Sequence, residues 1–335
     1  MRPALTGILR CLLCRGNQFD LSVRDRDDIE IVSGSVACRR CGLAYGIEAG
    51  ILDALPVVDT AVAAARTAYR AAKASQRIGD LPPGQLALRE HLDHTYRKDT
   101  EANFRDLIAR LPTGTGWALD IGAGTCWTTA GLVGKGYAGV AIDISADNKL
   151  ELGRHHFSDG IFFDRVLADV NRLPFRDAAF SLSFASAVLH HSRDLNRSLV
   201  EIARVVTAGG GLELINEPVK GLLEALQQKA GKLEAEDGVI EKQYGLTTWR
   251  RLLHEAGFDG IALFPANIRQ RLAGNGFDRS HKFHGLTGPL SRINSSPWGR
   301  AILEELLFYP GLLLLGLPLI YSGKKRSPPA RAWGT

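Results

Sequence analysis

Cysteine is scarce in this chain of 335 residues, and its five cysteines are not scattered. Cys11, Cys14, Cys38 and Cys41 form two CxxC pairs and Cys126 stands alone, which is not the framework of a disulfide-stapled secreted domain. Residues 1–13 lack signal-peptide architecture, so a reducing compartment, the cytoplasm, is expected. An unbroken apolar run of the roughly 20 residues that a spanning helix needs is also missing. The candidate at 306–321, LLFYPGLLLLGLPLIY, is shorter and is interrupted by Pro310, Gly311, Gly316 and Pro318. It reads as a buried helix end running into a buried strand; no membrane span is expected, and peripheral contact with a membrane stays open. Internal repeats and low-complexity tracts are absent. Surplus charge is nearly absent too, because four positives behind the net charge of +5 (Lys324, Lys325, Arg326 and Arg331) lie in the last dozen residues. A groove for many phosphates would need a basic face elsewhere. Apolar and charged fractions of 45% and 23% exclude disordered and collagen-like classes.

What is present falls into four stretches: residues 1–56, a linker or cap at 57–114, a larger domain at 115–325 and a flexible basic tail at 326–335. The first reads as short strands punctuated by turns. From Thr60 an alanine-rich segment has good helix propensity until LPPG at 81–84 breaks it. Helical spacing returns over 86–111 (Leu88, Leu92, Phe104, Leu107, Ile108, Leu111) and stops at Pro112 and Gly114. Beyond Gly116 strands and helices alternate. Strands are expected at 117–122, 139–144, 165–170, 180–186, 211–216 and 260–266, with helices around 195–205 and 248–256. This alternation predicts an α/β fold, a Rossmann-like doubly wound parallel sheet with helices on both faces.

The first of those strands ends in Leu119-Asp120-Ile121-Gly122-Ala123-Gly124-Thr125. Glycines there let the backbone turn tightly and approach a ligand, and the following helix aims its N-terminal amides into the same space. A GxG alone is weak evidence. Asp143 ends the second strand 23 residues after Asp120, near the spacing at which a carboxylate reaches ribose hydroxyls. Asp169 ends the third and offers an acceptor to an adenine amino group. Acids at three successive strand ends converge on the crevice where open α/β sheets bind ligands. Helix capping and turn formation would explain any one of them. A dinucleotide site carries a third glycine, whereas positions 126 and 127 here are Cys and Trp, so S-adenosylmethionine, which has no phosphate, suits the turn better.

The runs ALDIGAGT (118–125), AIDIS (141–145), ADVNRLPFRDAAFSLSFAS (168–186), LHHSRD (189–194) and VVTAGGGLELINEP (205–218) resemble, in order and spacing, class I S-adenosylmethionine-dependent methyltransferases. Within that class they resemble the type 11 branch that includes ubiquinone and menaquinone methyltransferases. The resemblance implies Asp120, Gly122, Ala123 and Gly124 near the methionine portion, Asp143 with Ile144 at the ribose, and Asp169 with the Val170 amide at adenine. It also implies Ala185 among the cofactor contacts and a seven-stranded sheet. Its last strand, over 316–325, would run antiparallel between strands five and six, with 267–313 an insertion beside the site. The family usually has Gly where this chain has Cys126, so a tighter pocket is expected near the methionine end. Cys126 itself reads as a small wall residue rather than a nucleophile.

Two CxxC knuckles within one short segment supply four thiolates, the donor set of a closed structural Zn²⁺ site. A redox pair is the alternative reading. So small a unit has almost no core and would depend on metal to fold. Residues 8–55, above all CGLAYGIEAGI, resemble the zinc-ribbon family that activates tRNA and translation-factor methyltransferases, which implies a supporting role in cis. Seven arginines against seven acids over residues 1–55 suit it poorly to gripping phosphates.

Methyl transfer needs a nucleophile in line with the sulfonium, sometimes a general base, and exclusion of water. His190 and His191 after the fourth strand and Glu217 after the fifth are the candidates; either His could equally brace its loop. The stretch 267–300 holds Arg269, Arg271, Arg279, Lys282, Arg292 and Arg300 against the single acid Asp278. Interleaved aromatics there suit an anionic or planar small-molecule substrate, or else form a solvated charged face. Three functions stay open: a methyltransferase for a small metabolite, one for tRNA or rRNA, and a non-catalytic cofactor-binding regulator. An NPPY-type motif is missing where the chain reads FASAVLHH, which counts against nucleic-acid base methylation.

Overall fold

Side chains alternate across a strand, and that alternation decides which helices cover which face of this protein. The computed structural model describes residues 1–55, 95–145, 153–222, 242–268, 296, 298–299 and 310–327. Its strands are β1 (Phe19–Arg26), β2 (Ile31–Cys38), β3 (Ala44–Glu48), β4 (Ile51–Asp53), β5 (Trp117–Ile121), β6 (Ala138–Asp143), β7 (Phe163–Leu167), β8 (Phe180–Ser186), β9 (Val206–Glu217), β10 (Phe258–Leu263) and β11 (Leu319–Lys325). The α-helices among the described residues are α1 (Thr95–Arg110), α2 (Trp127–Gly134), α3 (Leu195–Val205) and α4 (Leu246–Glu255). Leu119 and Ile121 of β5 share an apolar cluster with Leu199 and Ile202 of α3 and Trp249 of α4. Their neighbour Ala118 joins Phe104 and Leu107 of α1 and Leu132 of α2 on the opposite face. Helix α3 starts where the Asp194 side chain caps the Arg197 amide at 3.0 Å, and its buried residues recur at helical spacing.

The strands form one sheet in the order β1-β2-β3-β4-β7-β6-β5-β8-β9-β11-β10. Strands β5 to β9 are parallel, and β11 lies antiparallel between β9 and β10 (Tyr321↔Leu214, Gly323↔Gly260). Strand order reverses between β5 and β8, which places the crevice of a doubly wound sheet at the tips of those two strands. The expected count of seven strands is corrected to eleven. The four extra strands come from the N-terminal segment, because β4 pairs parallel with β7 (Ile51↔Arg165, Asp53↔Leu167) and caps what would otherwise be an open sheet edge.

That pairing also supplies the N-terminal segment with a core. Leu5, Leu9, Val36, Tyr45, Ile47 and Leu52 belong to the same cluster as Val140, Val166 and Phe175 of the larger sheet. Charged groups line the seam: Arg2 donates to Asp164 at 2.9 Å, and Arg165 donates to Glu30 at 2.6 Å. The third strand ends earlier than the pattern suggests, since Ala168 leaves the sheet and Asp169 enters a turn bridged to Arg172. The alanine-rich segment from Thr60, LPPG, most of the 267–313 insertion and the tail from 328 lie outside the described residues. Trp298, in the insertion, is exposed. Among the described residues no helix is long and apolar enough to cross a membrane.

Candidate functional site

Strand β5 ends at Ile121, and the chain enters α2 only six residues later. Gly122 holds φ 66°, and a Cβ there would sit 2.2 Å from Val188 Cγ2, so glycine lets the loop after β8 close onto this turn. Gly124 holds φ 53° and faces open space, with nothing within 4 Å of a Cβ. The Ala123 amide, between them, donates to the Ile142 carbonyl at 3.0 Å and ties the turn to β6. Cys126 also takes a left-handed φ of 62°, a conformation in which glycine would be unstrained. Its buried thiol packs with Ala123, Ala141 and Phe163, and burial pushes its pKa well above the ordinary value. It is therefore a wall residue without thiolate character. The Trp127 ring packs edge-on against Phe104 at 4.9 Å, seating α1 on α2.

The three sequence-marked acids lie on adjacent strands or just beyond them. Asp120 is buried in β5, where its Oδ2 accepts the hydroxyls of Thr128 (2.7 Å) and Thr129 (2.6 Å) in the first turn of α2. Burial, only partly offset by those hydroxyls, raises its pKa to about 6. Asp143, at the tip of β6, accepts the Gly124 amide at 3.2 Å and the Ser145 amide at 3.1 Å, so one carboxylate grips both the glycine turn and the loop through Ile144. Asp169 accepts the Asn171 amide at 2.9 Å and the Arg193 guanidinium at 2.5 Å, with Val170 between the strand end and that turn. A carboxylate oxygen can accept two hydrogen bonds: Asp120 Oδ2 already takes two, whereas each oxygen of Asp169 takes one and keeps acceptor capacity. Ala185 of β8 pairs with Ile121 of β5 and is fully buried beside the switch point.

On the other side of the crevice Glu217, at the end of β9, is fully buried. It accepts the backbone amides of Val188 (2.9 Å), Leu189 (2.9 Å) and His190 (3.2 Å), and its Oε2 lies 3.0 Å from His190 Nδ1. The His191 ring leans on that of His190 at 3.9 Å. A polar group that sequence patterning misses closes this end. Asn103 on α1 bonds Asn216 at 2.7 Å, Asn216 bonds Thr100 at 2.9 Å, and the Asn267 amide donates to Asn103 Oδ1 at 3.1 Å. Arg193, the partner of Asp169, was missed as well; its only signal is its place in LHHSRD.

Cys11, Cys14, Cys38 and Cys41 converge at the far end of the N-terminal strands, their sulfurs all within 4.8 Å of one another. Tetrahedral Zn²⁺ with bonds of about 2.3 Å sets sulfurs about 3.8 Å apart. The Cys11–Cys41 and Cys14–Cys38 sulfur pairs stand at 3.5 Å, and the Gly16 amide and Tyr45 hydroxyl donate to Cys14 and Cys11 sulfurs. This donor set fits a four-thiolate structural metal.

Fold and crevice together define an α/β protein of the doubly wound class, with its crevice at the switch point of the sheet. Residues 119–214 match the profile of the methyltransferase domain family. Over 181 residues the chain is 29% identical to "Methyltransferase GfsG" of Streptomyces halstedii, covering 50% of this chain and 62% of that protein. It is 34% identical over 154 residues to the "Biotin biosynthesis bifunctional protein BioHC" of Cellvibrio japonicus, covering 45% and 29%. The chain thus spans less than two thirds of the length of these curated relatives. A solved complex containing the Haloferax volcanii Trm112 methyltransferase activator aligns with 73% of this chain and 97% of that one, at 16% identity and a TM-score of 0.49; a likeness of that degree bears on neither activity nor assembly.

Proposed function

We propose that this protein is an S-adenosylmethionine-dependent methyltransferase acting on a small metabolite, with residues 1–56 serving as a structural zinc ribbon. One observation carries the reading: within a segment that matches the methyltransferase domain profile, Asp143 accepts the amide of a glycine turn that is open at Gly124, Asp120 accepts hydroxyls of the helix that follows the turn, and Asp169 comes just after the neighbouring strand β7. In this reading Gly122, Ala123 and Gly124 accommodate the methionine end, with Asp120 beneath them. Asp143 and Ile144 receive the ribose, Asp169 and the Val170 amide receive adenine, and Ala185 lines the wall. When bound, the cofactor supplies an electrophilic methyl on a sulfonium. His190, His191 and Glu217 lie on the acceptor side. Residues 57–114 act as linker and cap, and 115–325 as the catalytic unit with an insertion toward the substrate.

The ribbon's role is support in cis. It covers the β7 edge next to the strands that carry Asp143 and lead to Asp169, and Zn²⁺ would hold its knuckles. Arg172, three residues past Asp169, donates to the Leu12 carbonyl inside the first CxxC, so the knuckle and the adenine-side loop are one mechanical unit. The test is transfer of a tritiated methyl group from labelled S-adenosylmethionine into a fractionated metabolite extract. Label in small-molecule fractions, dependent on the protein, is expected. Label confined to RNA, or none in any fraction while the cofactor binds, would overturn the small-metabolite assignment.

A further inference from the structure

Glu217 takes donors at both oxygens. Three are backbone amides of one short turn (Val188, Leu189 and His190), and the fourth contact is the ring nitrogen Nδ1 of His190 at 3.0 Å. A carboxylate that accepts amide protons at both oxygens accepts from the ring as well, so the geometry assigns the ring proton to Nδ1, pointing at the carboxylate. Nε2 then carries the lone pair. The His190 side chain is 9% exposed, and among the described residues its Nε2 has no hydrogen-bond partner. The turn that holds it lies against the glycine turn, because Val188 fills the space where a Gly122 Cβ would be. A buried acid thus orients an imidazole whose other nitrogen is left unpartnered among the described residues, on a turn packed beside the backbone proposed to bind the methionine end.

We infer that His190 is the general base, that Glu217 is its positioning residue, and that the acceptor is a hydroxyl group, alcohol or phenol, which must lose a proton as it is methylated. The inference rests on the methyltransferase reading above and narrows it to O-methylation. The hydroxyl oxygen attacks the sulfonium-borne methyl in line. The O–C bond forms as the C–S bond breaks, the C–S electron pair stays on sulfur to give the neutral thioether, and the hydroxyl proton passes to His190 Nε2 and then to solvent. Glu217 stabilises the imidazolium so formed and keeps the ring in this tautomer. The ring contact to Glu217 runs through His190.

The test uses the full chain with tritiated S-adenosylmethionine and a panel of small phenols and alcohols, each with its matching primary amine. Label is expected in hydroxyl acceptors only. His190→Gln should lower kcat about 100-fold or more with S-adenosylhomocysteine affinity unchanged within twofold, and should remove the acidic limb of the pH–rate profile. Glu217→Gln should lower kcat less and displace that limb to lower pH, a readout that a purely structural role would not move. If Glu217→Gln fails to fold, nitrogen-15 resonances of the wild-type histidines carry the assignment, with His190 protonated at Nδ1 and bare at Nε2. An Nε2-protonated tautomer, label in the amines, no label in any hydroxyl acceptor while the cofactor binds, or a His190→Gln rate within threefold of wild type would overturn it. Absence of cofactor binding would instead remove the methyltransferase reading, and this inference with it.

Discussion

Glu30 and Arg165 meet at 2.6 Å with both side chains almost wholly buried, and they join the N-terminal strands to strand β7 of the parallel sheet. The Met1 amine (2.9 Å) and Arg154 (3.2 Å) also converge on Glu30, so the acid is the hub of the seam. Removing one partner of a buried pair leaves the other charge uncompensated, which typically costs about 3–5 kcal/mol. Glu30→Gln and Arg165→Met should each lower the unfolding free energy measured in urea by that order. A loss under about 1 kcal/mol would mean the seam is solvated and the two parts fold independently.

Elemental analysis should find about one zinc per chain. Stripping it should lower the thermal midpoint by roughly 5–10 °C, the scale of a few kcal/mol in a domain of this size. Iron with an iron–sulfur spectrum, or no metal and no shift on chelation, would end the ribbon assignment.

The two glycines of the turn should fail differently. Gly122→Ala places a methyl 2.2 Å from Val188 and in a left-handed conformation, so about 2–4 kcal/mol of stability should be lost. Gly124→Ala meets nothing within 4 Å and should cost only about 1 kcal/mol of stability while weakening cofactor binding markedly. Equal stability losses by chemical denaturation would show that Gly124 is as tightly packed as Gly122.

Glu213 on β9 is 2% exposed; its Oε1 accepts Ser322 Oγ at 3.1 Å, and its Oε2 has no partner among the described residues. Burial raises its pKa to about 7, against the smaller opposing effects of Ser322 and Lys324. A folded-state pKa raised above the unfolded value means stability that is fully present below about pH 4.5 and lost as pH rises through about 7. Unfolding free energy should therefore fall by about 2–3 kcal/mol from this group between pH 5 and pH 8. Glu213→Gln should flatten that part of the profile, and an unchanged slope would refute the assignment. Asp120, raised to about 6, adds to the same trend in the wild type.

Much of the parallel-sheet domain was legible because its signals are local. The period-two strands at 117–121 and 180–186, the glycine turn, and acids at the strand tips each show within a few residues. The N-terminal segment was legible in its cysteines, its short strands and the run CGLAYGIEAGI, but not in its pairing with the larger domain. Pairing of Ile51, Leu52 and Asp53 with β7 spans more than a hundred residues, and three residues are too few to show a period. Thr100 and Asn103 read as the solvated face of a helix, yet they turn inward because Asn216, in a left-handed conformation at φ 57°, meets them. Glu217 could be named but not understood: its hold on three amides of one turn depends on β8 and β9 ending side by side.

The cofactor site itself is tested most directly by calorimetric titration of the wild type and Asp143→Ala with S-adenosylhomocysteine. The account predicts one site per chain in the wild type and affinity weaker by about 1–3 kcal/mol, roughly 5–150-fold, in the variant, the scale of a lost charged hydrogen bond. No heat in the wild type, or equal affinity in the two proteins, would contradict it.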